Sequence, residues 1–124
     1  MTTFHRIDHV ALHVKDVDTS VLFYEWHFGF KTYFRAPTPS GIDIAYMKLG
    51  DTVLELTGHS DPVNGGFHFC LETDDFDGAV ATLMSAGVPV AQEPHKTAAR
   101  TPREAGWRRV VFKGPDGELV EIRG

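Results

Sequence analysis

The stretch FHFCLETDDFD at residues 67–77 repeats the pattern of DHVALHVKDVD at residues 8–18. Each stretch alternates apolar with other residues, as a half-buried strand does, and each carries one histidine, His9 or His68. Each then passes through acidic residues into a segment with helical periodicity. An internal repeat of this kind predicts two copies of one structural module.

Each copy continues with an amphipathic helix and glycine signals for the end of that helix. Asp16 or Asp18 suits the N-cap of the first helix, and Asp75 suits that of the second. Gly29 and Gly87 follow the helices and suit left-handed C-terminal caps. The apolar stripes are spaced i, i+4 and i+7: Val17, Val21 and Tyr24 in the first copy, and Phe76, Val80 and Leu83 in the second.

Shorter β-like segments follow each helix. They span 30–35, 41–50 and 52–57 in the first half, and 88–92, 107–113 and 118–123 in the second. Gly-Pro-Asp-Gly at 114–117 is typical of a hairpin turn. The sequence therefore predicts an α+β fold of two βαβββ modules that form a curved mixed sheet around a cleft. We expect a single domain over 1–124, with module 1 at about 5–57, a linker at 58–66 and module 2 at about 67–124.

The composition excludes several classes of function. The net charge of −5 and the pI of about 5.7 argue against a nucleic-acid or anionic-membrane binder. No apolar run approaches the roughly 18 residues of a membrane span, and the polar start of the chain lacks a signal-peptide core. A single cysteine, Cys70, excludes an intramolecular disulfide and a CxxC motif. We expect a cytoplasmic protein.

The strand alternation predicts a metal site in the cleft. If apolar residues face the helices, each module turns one histidine and one carboxylate to the opposite face of its sheet. These are His9 with Glu55, and His68 with Glu121. Two imidazoles and two carboxylates suit one divalent ion among Ni²⁺, Co²⁺, Zn²⁺, Mn²⁺ and Fe²⁺. Four protein ligands would leave two octahedral positions for water or substrate.

Further polar residues on the same faces are candidate substrate contacts: His13, Arg35, Glu72, Arg109 and Arg123. The alternative is a solvated rim of ion pairs. The basic segment 95–109 is either a mobile lid that grips an anionic substrate or a flexible, solvated loop.

Four motifs resemble, in order and spacing, the vicinal oxygen chelate superfamily. They are IDHVALHVKDVDTSVLFYEWHFGF at 7–30, VLELTG at 53–58, GFHFCLETDDFD at 66–77 and GPDGELVEIRG at 114–124. This superfamily includes glyoxalase I, methylmalonyl-CoA epimerase, extradiol dioxygenases, and the fosfomycin and bleomycin resistance proteins. The His, Glu, His, Glu pattern is similar to that of glyoxalase I. The resemblance implies a metal, with nickel or zinc favoured, held by His9, Glu55, His68 and Glu121.

The resemblance also implies an activity. In glyoxalase I chemistry the substrate is the hemithioacetal of methylglyoxal and glutathione, and a metal-stabilised enediolate leads to a lactoyl thioester. Glu121 or Glu55 would act as the general base. The fold usually forms a homodimer, which we therefore expect here. Two positions depart from the bacterial glyoxalases I: His13 and His59 stand where an arginine and an asparagine contact glutathione.

Three alternatives stay open. An acyl-CoA epimerase would use the same paired carboxylates, with the basic residues of 96–109 near the CoA phosphates. An extradiol dioxygenase uses iron and two histidines with one carboxylate, so the additional Glu55 counts against it. A drug-binding resistance protein sequesters its ligand without metal, and the intact set of four ligands argues against that function.

Overall fold

The computed structural model describes residues 5–64 and 67–124. Residues 1–4 and the end of the predicted linker, Gly65 and Gly66, lie outside this description. The chain divides between Val63 and Asn64 into two compact units. This division falls within the stretch that the sequence marks as a linker.

The first unit contains four strands and one helix. Its strands are β1 (Val10–Val14), β2 (Lys31–Pro37), β3 (Asp43–Leu49) and β4 (Thr52–Gly58), and its helix is α1 (Val17–Phe28). The sheet order is β1-β4-β3-β2, with β1 parallel to β4 and the other pairs antiparallel. Helix α1 packs against β2, β3 and β4.

The second unit repeats this arrangement. Its strands are β5 (His68–Glu72), β6 (Val90–Lys96), β7 (Arg108–Lys113) and β8 (Leu119–Arg123). Helix α2 spans Phe76–Ser85, and a short 3₁₀ helix spans Pro102–Glu104. The sheet order is β5-β8-β7-β6, with β5 parallel to β8. Within the described residues, two α-helices and two four-stranded mixed sheets confirm the predicted α+β fold of βαβββ modules.

The helix boundaries follow the predicted capping residues. Asp16 Oδ1 accepts a hydrogen bond from the Thr19 amide at 3.2 Å, and Asp75 Oδ1 accepts one from the Gly78 amide at 3.0 Å. These contacts satisfy amides that have no partner inside a helix. Gly29 ends α1 with a φ of 77°, in the left-handed region that favours glycine.

The parallel pairing of first and last strands positions the candidate ligands. Ala11 pairs with Glu55 in the first unit, and Cys70 pairs with Glu121 in the second. His9 lies two residues before Ala11 along the chain, and His68 two residues before Cys70, so each is a diagonal neighbour of its glutamate. The alternating residues are buried: Leu12, Val14, Leu54, Leu56, Val120 and Ile122.

The segment 95–109 is a loop only in part. It begins in β6, which continues to Lys96, and it includes the 3₁₀ helix Pro102–Glu104. Glu104 is only 3% exposed, so this short helix is anchored in the unit by a buried carboxylate. Among the described residues, no helix has the length and apolar character that crossing a membrane requires.

Candidate functional site

In the first unit the structure brings His9 and Glu55 together. His9 Nε2 lies 3.5 Å from Glu55 Oε1. On the other side of the ring, Nδ1 lies 2.9 Å from Asp8 Oδ2, which fits a protonated Nδ1 that donates to the carboxylate. That tautomer leaves the Nε2 lone pair free to bind a metal, as in other carboxylate-oriented histidine ligands.

Two hydroxyl groups hold the Glu55 side chain. The Thr57 hydroxyl donates to Glu55 Oε2, and the Tyr46 hydroxyl also hydrogen-bonds to this carboxylate. Tyr46 stands opposite Glu55 in the β3–β4 register, and its ring meets the His9 ring edge-on at 5.4 Å between centroids. Burial acts to raise the pKa of Glu55, but these hydrogen bonds and His9 outweigh it and hold the pKa below its ordinary value.

In the second unit the structure brings His68 and Glu121 together with the same spacing. His68 Nε2 lies 3.5 Å from Glu121 Oε1, and Arg109 Nε donates to Glu121 Oε2 at 3.2 Å. The whole Glu121 residue is 7% exposed. Burial acts to raise the pKa of Glu121, and the hydrogen bond and charge of Arg109 outweigh it, so the pKa lies below its ordinary value.

Arg109 is itself held in place by polar neighbours on β6. Its Nη1 donates to Gln92 Oε1 at 2.8 Å and lies 3.3 Å from His95 Nε2. His95 Nδ1 lies 2.8 Å from the Glu93 carbonyl, so this nitrogen is the donor and Nε2 is free to accept from Arg109. The arginine therefore reaches Glu121 in a fixed orientation.

The donor spacing fits a divalent metal ion. Two nitrogen or oxygen atoms bound at about 2.0–2.2 Å to one cation lie about 3.0 Å apart in an octahedral site and about 3.4 Å apart in a tetrahedral one. The 3.5 Å between Nε2 and Oε1 in each unit is close to this range. Within either unit, the described residues contain no group of three or more His, Cys, Asp or Glu side chains placed to share a metal. Each unit thus contains one His–Glu pair.

Glu72 and Arg123 lie beside the second pair and already have partners. Glu72 accepts two hydrogen bonds of 3.1 Å from Arg103. Arg123 Nη2 donates to the Ala98 carbonyl at 3.2 Å and to Glu104 Oε1 at 3.1 Å. Both residues line a cavity of about 380 Å³ in the second unit, together with His68, Cys70, Arg100, Trp107 and Glu121.

His13 and Arg35 have other surroundings in the first unit. The His13 ring stacks on the His59 ring, with 4.8 Å between centroids and an interplanar angle of 2°. Arg35 Nη2 lies 2.6 Å from Asp18 Oδ1 and 2.8 Å from Asp43 Oδ2. Arg35 thus joins β2 to α1 and β3 by ion pairs.

Sequence reasoning missed three residues that hold this site. Thr57 lies two residues after Glu55 on the same strand, so alternation alone could have placed both on one face. Tyr46 required the β3–β4 register. Glu104, which binds Arg100 and Arg123, lies in a segment with no periodic pattern, so nothing in the sequence singled it out.

These features define an α+β protein built from two similar modules, each with one His–Glu pair. The profile of the Glyoxalase/Bleomycin resistance protein/Dioxygenase superfamily matches residues 6–122. The chain belongs to this superfamily, as its motifs predict.

Particular relatives carry different functional names. Human mitochondrial methylmalonyl-CoA epimerase is 28% identical, and the match covers 94% of this chain and 72% of that protein. A probable lactoylglutathione lyase of Vibrio cholerae is 31% identical, with 95% of this chain and 89% of that protein covered.

Solved structures show the same fold. TnmS3, an antibiotic binding protein from Streptomyces sp. CB03234, superposes with a TM-score of 0.78 at 25% identity, with 98% of this chain and 97% of that chain covered. The fosfomycin resistance protein FosX from Listeria monocytogenes, in complex with Mn(II) and sulfate, superposes with a TM-score of 0.73 at 14% identity. That match covers 98% of this chain and 91% of that chain. Proteins of this fold therefore include a resistance protein in complex with Mn(II) and an antibiotic binding protein.

Proposed function

We propose that this protein is a divalent-metal-dependent lyase or isomerase of the glyoxalase I type. It would transfer a proton between neighbouring carbons of a small oxygenated substrate, with the hemithioacetal of methylglyoxal and glutathione as the first candidate. The main support is the repetition of one pair: His Nε2 and Glu Oε1 are 3.5 Å apart in both units.

The proposed metal ligands are His9, Glu55, His68 and Glu121. The donor set contains no sulfur and is borderline hard, which suits nickel or zinc among the divalent ions. A bound ion of this kind supplies Lewis acidity that stabilises negative charge on a substrate oxygen. The Asp8 carboxylate at His9 Nδ1 would keep that ring in the tautomer that binds metal.

The glutamates are also the proposed proton carriers. A carbon acid that loses a proton to a carboxylate oxygen can regain it on the adjacent carbon if the carboxylate stays in reach. Both glutamates have an orienting partner at Oε2, which is a hydroxyl for Glu55 and Arg109 for Glu121. Each therefore keeps Oε1 for a metal or a proton, and either can serve as the base.

Two other functions have a specific observation in their favour. The similarity to methylmalonyl-CoA epimerase favours an acyl-CoA epimerase, which would use the same two carboxylates on a carbon acid. The similarity to TnmS3 favours binding of an antibiotic without chemistry. Turnover of an acyl-CoA substrate would select the first, and an absence of stoichiometric metal binding would select the second.

The test is metal loading followed by assay. Metal-free protein is loaded separately with Ni²⁺, Co²⁺, Zn²⁺ and Mn²⁺, its metal content is measured, and thioester formation from methylglyoxal and glutathione is followed. We expect one metal per chain, turnover with at least one of the metals, and loss of turnover in Glu121→Gln with the fold retained. Normal turnover in that variant would exclude the proposed site.

Matched variants separate ligands from neighbours. His9→Ala removes a proposed ligand, whereas Cys70→Ala removes a thiol that lines the cavity without belonging to the proposed set. We expect metal affinity to fall in the first variant and to stay near the wild-type value in the second. Equal effects of the two substitutions would contradict the assignment of His9.

A further inference from the structure

The cavity in the second unit contains more than the His68–Glu121 pair. Its wall continues to Arg100, Trp107 and Arg123, and its volume is about 380 Å³. A space of this size is within the usual range of small-molecule sites. The residues beyond the pair are therefore placed to recognise a second part of a substrate.

The two carboxylates in the wall are already paired. Glu72 is bound by both terminal nitrogens of Arg103, and Glu121 is bound by Arg109 Nε. Both carboxylates of the wall therefore have a guanidinium group beside them.

The other two arginines share one carboxylate. Arg100 Nη2 lies 2.7 Å from Glu104 Oε2, and Arg123 Nη2 lies 3.1 Å from Glu104 Oε1. Among the described residues, four guanidinium groups thus share three carboxylates, which leaves this cluster with an excess of one positive charge. Glu104 is 3% exposed, so it holds both arginines from within the unit.

Arg123 also has an unused hydrogen-bond donor. Its side chain is 11% exposed, and its Nε atom is buried without a partner among the described residues. Buried donors normally have a partner, because burial removes the water that would otherwise accept from them. Arg123 therefore has hydrogen-bonding capacity left after its contacts with Ala98 and Glu104.

We propose that this cavity binds an anionic oxygen group of the substrate, a carboxylate or a phosphate, through Arg100 and Arg123. This inference rests on the proposed function, and it specifies that the oxygenated substrate is an acid. Guanidinium groups recognise such anions by charge-assisted hydrogen bonds. Trp107 forms part of the wall, and the Arg103 guanidinium lies 4.8 Å from the centroid of its ring.

Trp107 supplies a direct readout of binding. The chain has two tryptophans, so Trp26→Phe leaves Trp107 as the only one. Trp26 is 85% exposed on α1, and its replacement leaves the second unit unchanged. Metal-free protein with this substitution is titrated with lactate, with inorganic phosphate and with neutral lactamide at constant ionic strength, and tryptophan fluorescence is recorded.

We expect a saturable fluorescence change with an anion and none with lactamide over the same concentrations. Tighter binding of lactate would identify a carboxylate site, and tighter binding of phosphate would identify a phosphate site. Arg100→Gln should lower the affinity for the tighter-binding anion about tenfold or more, since it removes a charge-assisted hydrogen bond. The Arg100 side chain is 66% exposed and Glu104 keeps its ion pair with Arg123, so the variant should still fold, with lower stability.

Arg108→Gln is the matched control. It removes one positive charge from the same unit, but Arg108 pairs with Asp77 at 2.8 Å and does not line the cavity. Its anion affinity should stay within about twofold of the parent, as expected for a screened surface charge. No saturable change with either anion, equal binding of lactamide, or equal weakening in Arg100→Gln and Arg108→Gln would overturn the proposal.

The titration separates this inference from the proposed function. It uses protein without metal and measures no turnover, so a failed glyoxalase assay leaves its result intact. Conversely, metal binding and thioester formation without saturable anion binding would overturn the subsite and leave the proposed function standing.

Discussion

Arg109 Nε donates to Glu121 Oε2 at 3.2 Å, so one oxygen of this carboxylate is bound to a cation. Glu55, the equivalent glutamate of the first unit, accepts a hydrogen bond from the neutral Thr57 hydroxyl at the corresponding oxygen, Oε2. The two glutamates therefore lie in different electrostatic surroundings, although their distances to the neighbouring histidines are the same. A guanidinium favours the ionised carboxylate by charge as well as by hydrogen bonding.

We predict that Arg109→Gln makes metal binding more sensitive to acid. The guanidinium lowers the pKa of Glu121, so the pKa rises when Arg109 is replaced. Protons then begin to compete with the metal at a higher pH. Zinc affinity measured by calorimetry between about pH 7.5 and 5 should decline at higher pH in the variant than in the wild type. Arg103→Gln is the control, since Arg103 binds Glu72 instead. Identical profiles for both variants would exclude this role of Arg109.

We predict that Gly114→Ala strongly destabilises the second unit. A Cβ atom at this position would lie 2.6 Å from both carboxyl oxygens of Glu118, which is fully buried and accepts a hydrogen bond from the Asp116 amide at 2.9 Å. Chemical denaturation should show a loss of about 2–4 kcal/mol, as for overpacking in a core combined with displacement of a buried charge.

A double-mutant cycle tests that cause. Glu118→Ala removes the group with which the new methyl would collide, so Gly114→Ala should cost little more in that background. Additive losses from the two substitutions would show that the effect of the alanine arises elsewhere in the turn.

The fold was predictable because the repeat and the helix signals are local. The caps Asp16 and Asp75 and the glycine Gly29 lie where the chain begins or ends a helix. The alternation around His9 predicted the buried Leu12 and Val14, and that around His68 predicted the less exposed positions Phe69 and Leu71. These features depend on neighbours in sequence, so contacts between distant residues changed little in the predicted helices and strands.

Strand lengths were less predictable where the sheet ends. β6 is the edge strand of its sheet and continues to Lys96, whereas alternation predicted 88–92. Its pairing with β7 shifts register twice, between Val90 and Gln92 and between Gln92 and His95, and it contains Pro94. Bulges break the two-residue period, and proline is compatible with an edge position, so the sequence pattern stops before the strand does.

The supporting residues of the site required the three-dimensional path of the chain. Arg109 was expected beside the candidate ligands because it alternates with Val111, and it does contact Glu121. The links of Arg103 to Glu72 and of Arg123 to Glu104 join positions that are distant in sequence. No periodicity relates such positions, so the sequence left open whether Glu72 and Arg123 have ion-pair partners.

We predict that the second helix depends on its cap. Asp75→Ala removes the acceptor of the Gly78 amide and should cost about 1 kcal/mol of unfolding free energy, the usual size for a lost N-cap. Asp74→Ala is the matched control, because Asp74 is exposed and precedes the capping residue. Its unfolding free energy should change by no more than about 0.5 kcal/mol. Equal losses in urea denaturation would mean that acidic charge near the helix matters more than the cap hydrogen bond.

We predict that the stability difference between wild type and Glu104→Gln shrinks in acid. Hydrogen bonds from Arg100 lower the pKa of Glu104 to about 2, against an ordinary value of 4.5. A carboxylate whose pKa is lower in the folded than in the unfolded state stabilises the fold at pH values above its unfolded-state pKa. That contribution is lost as the pH falls towards about 2. Thermal melts should therefore show the largest difference in midpoint near neutral pH and a declining difference below about pH 4.5. Glu93→Gln, at an exposed position of the same unit, should differ little from wild type throughout. A constant gap for Glu104→Gln across this range would show that packing, and not the charge shared by Arg100 and Arg123, makes Glu104 stabilising.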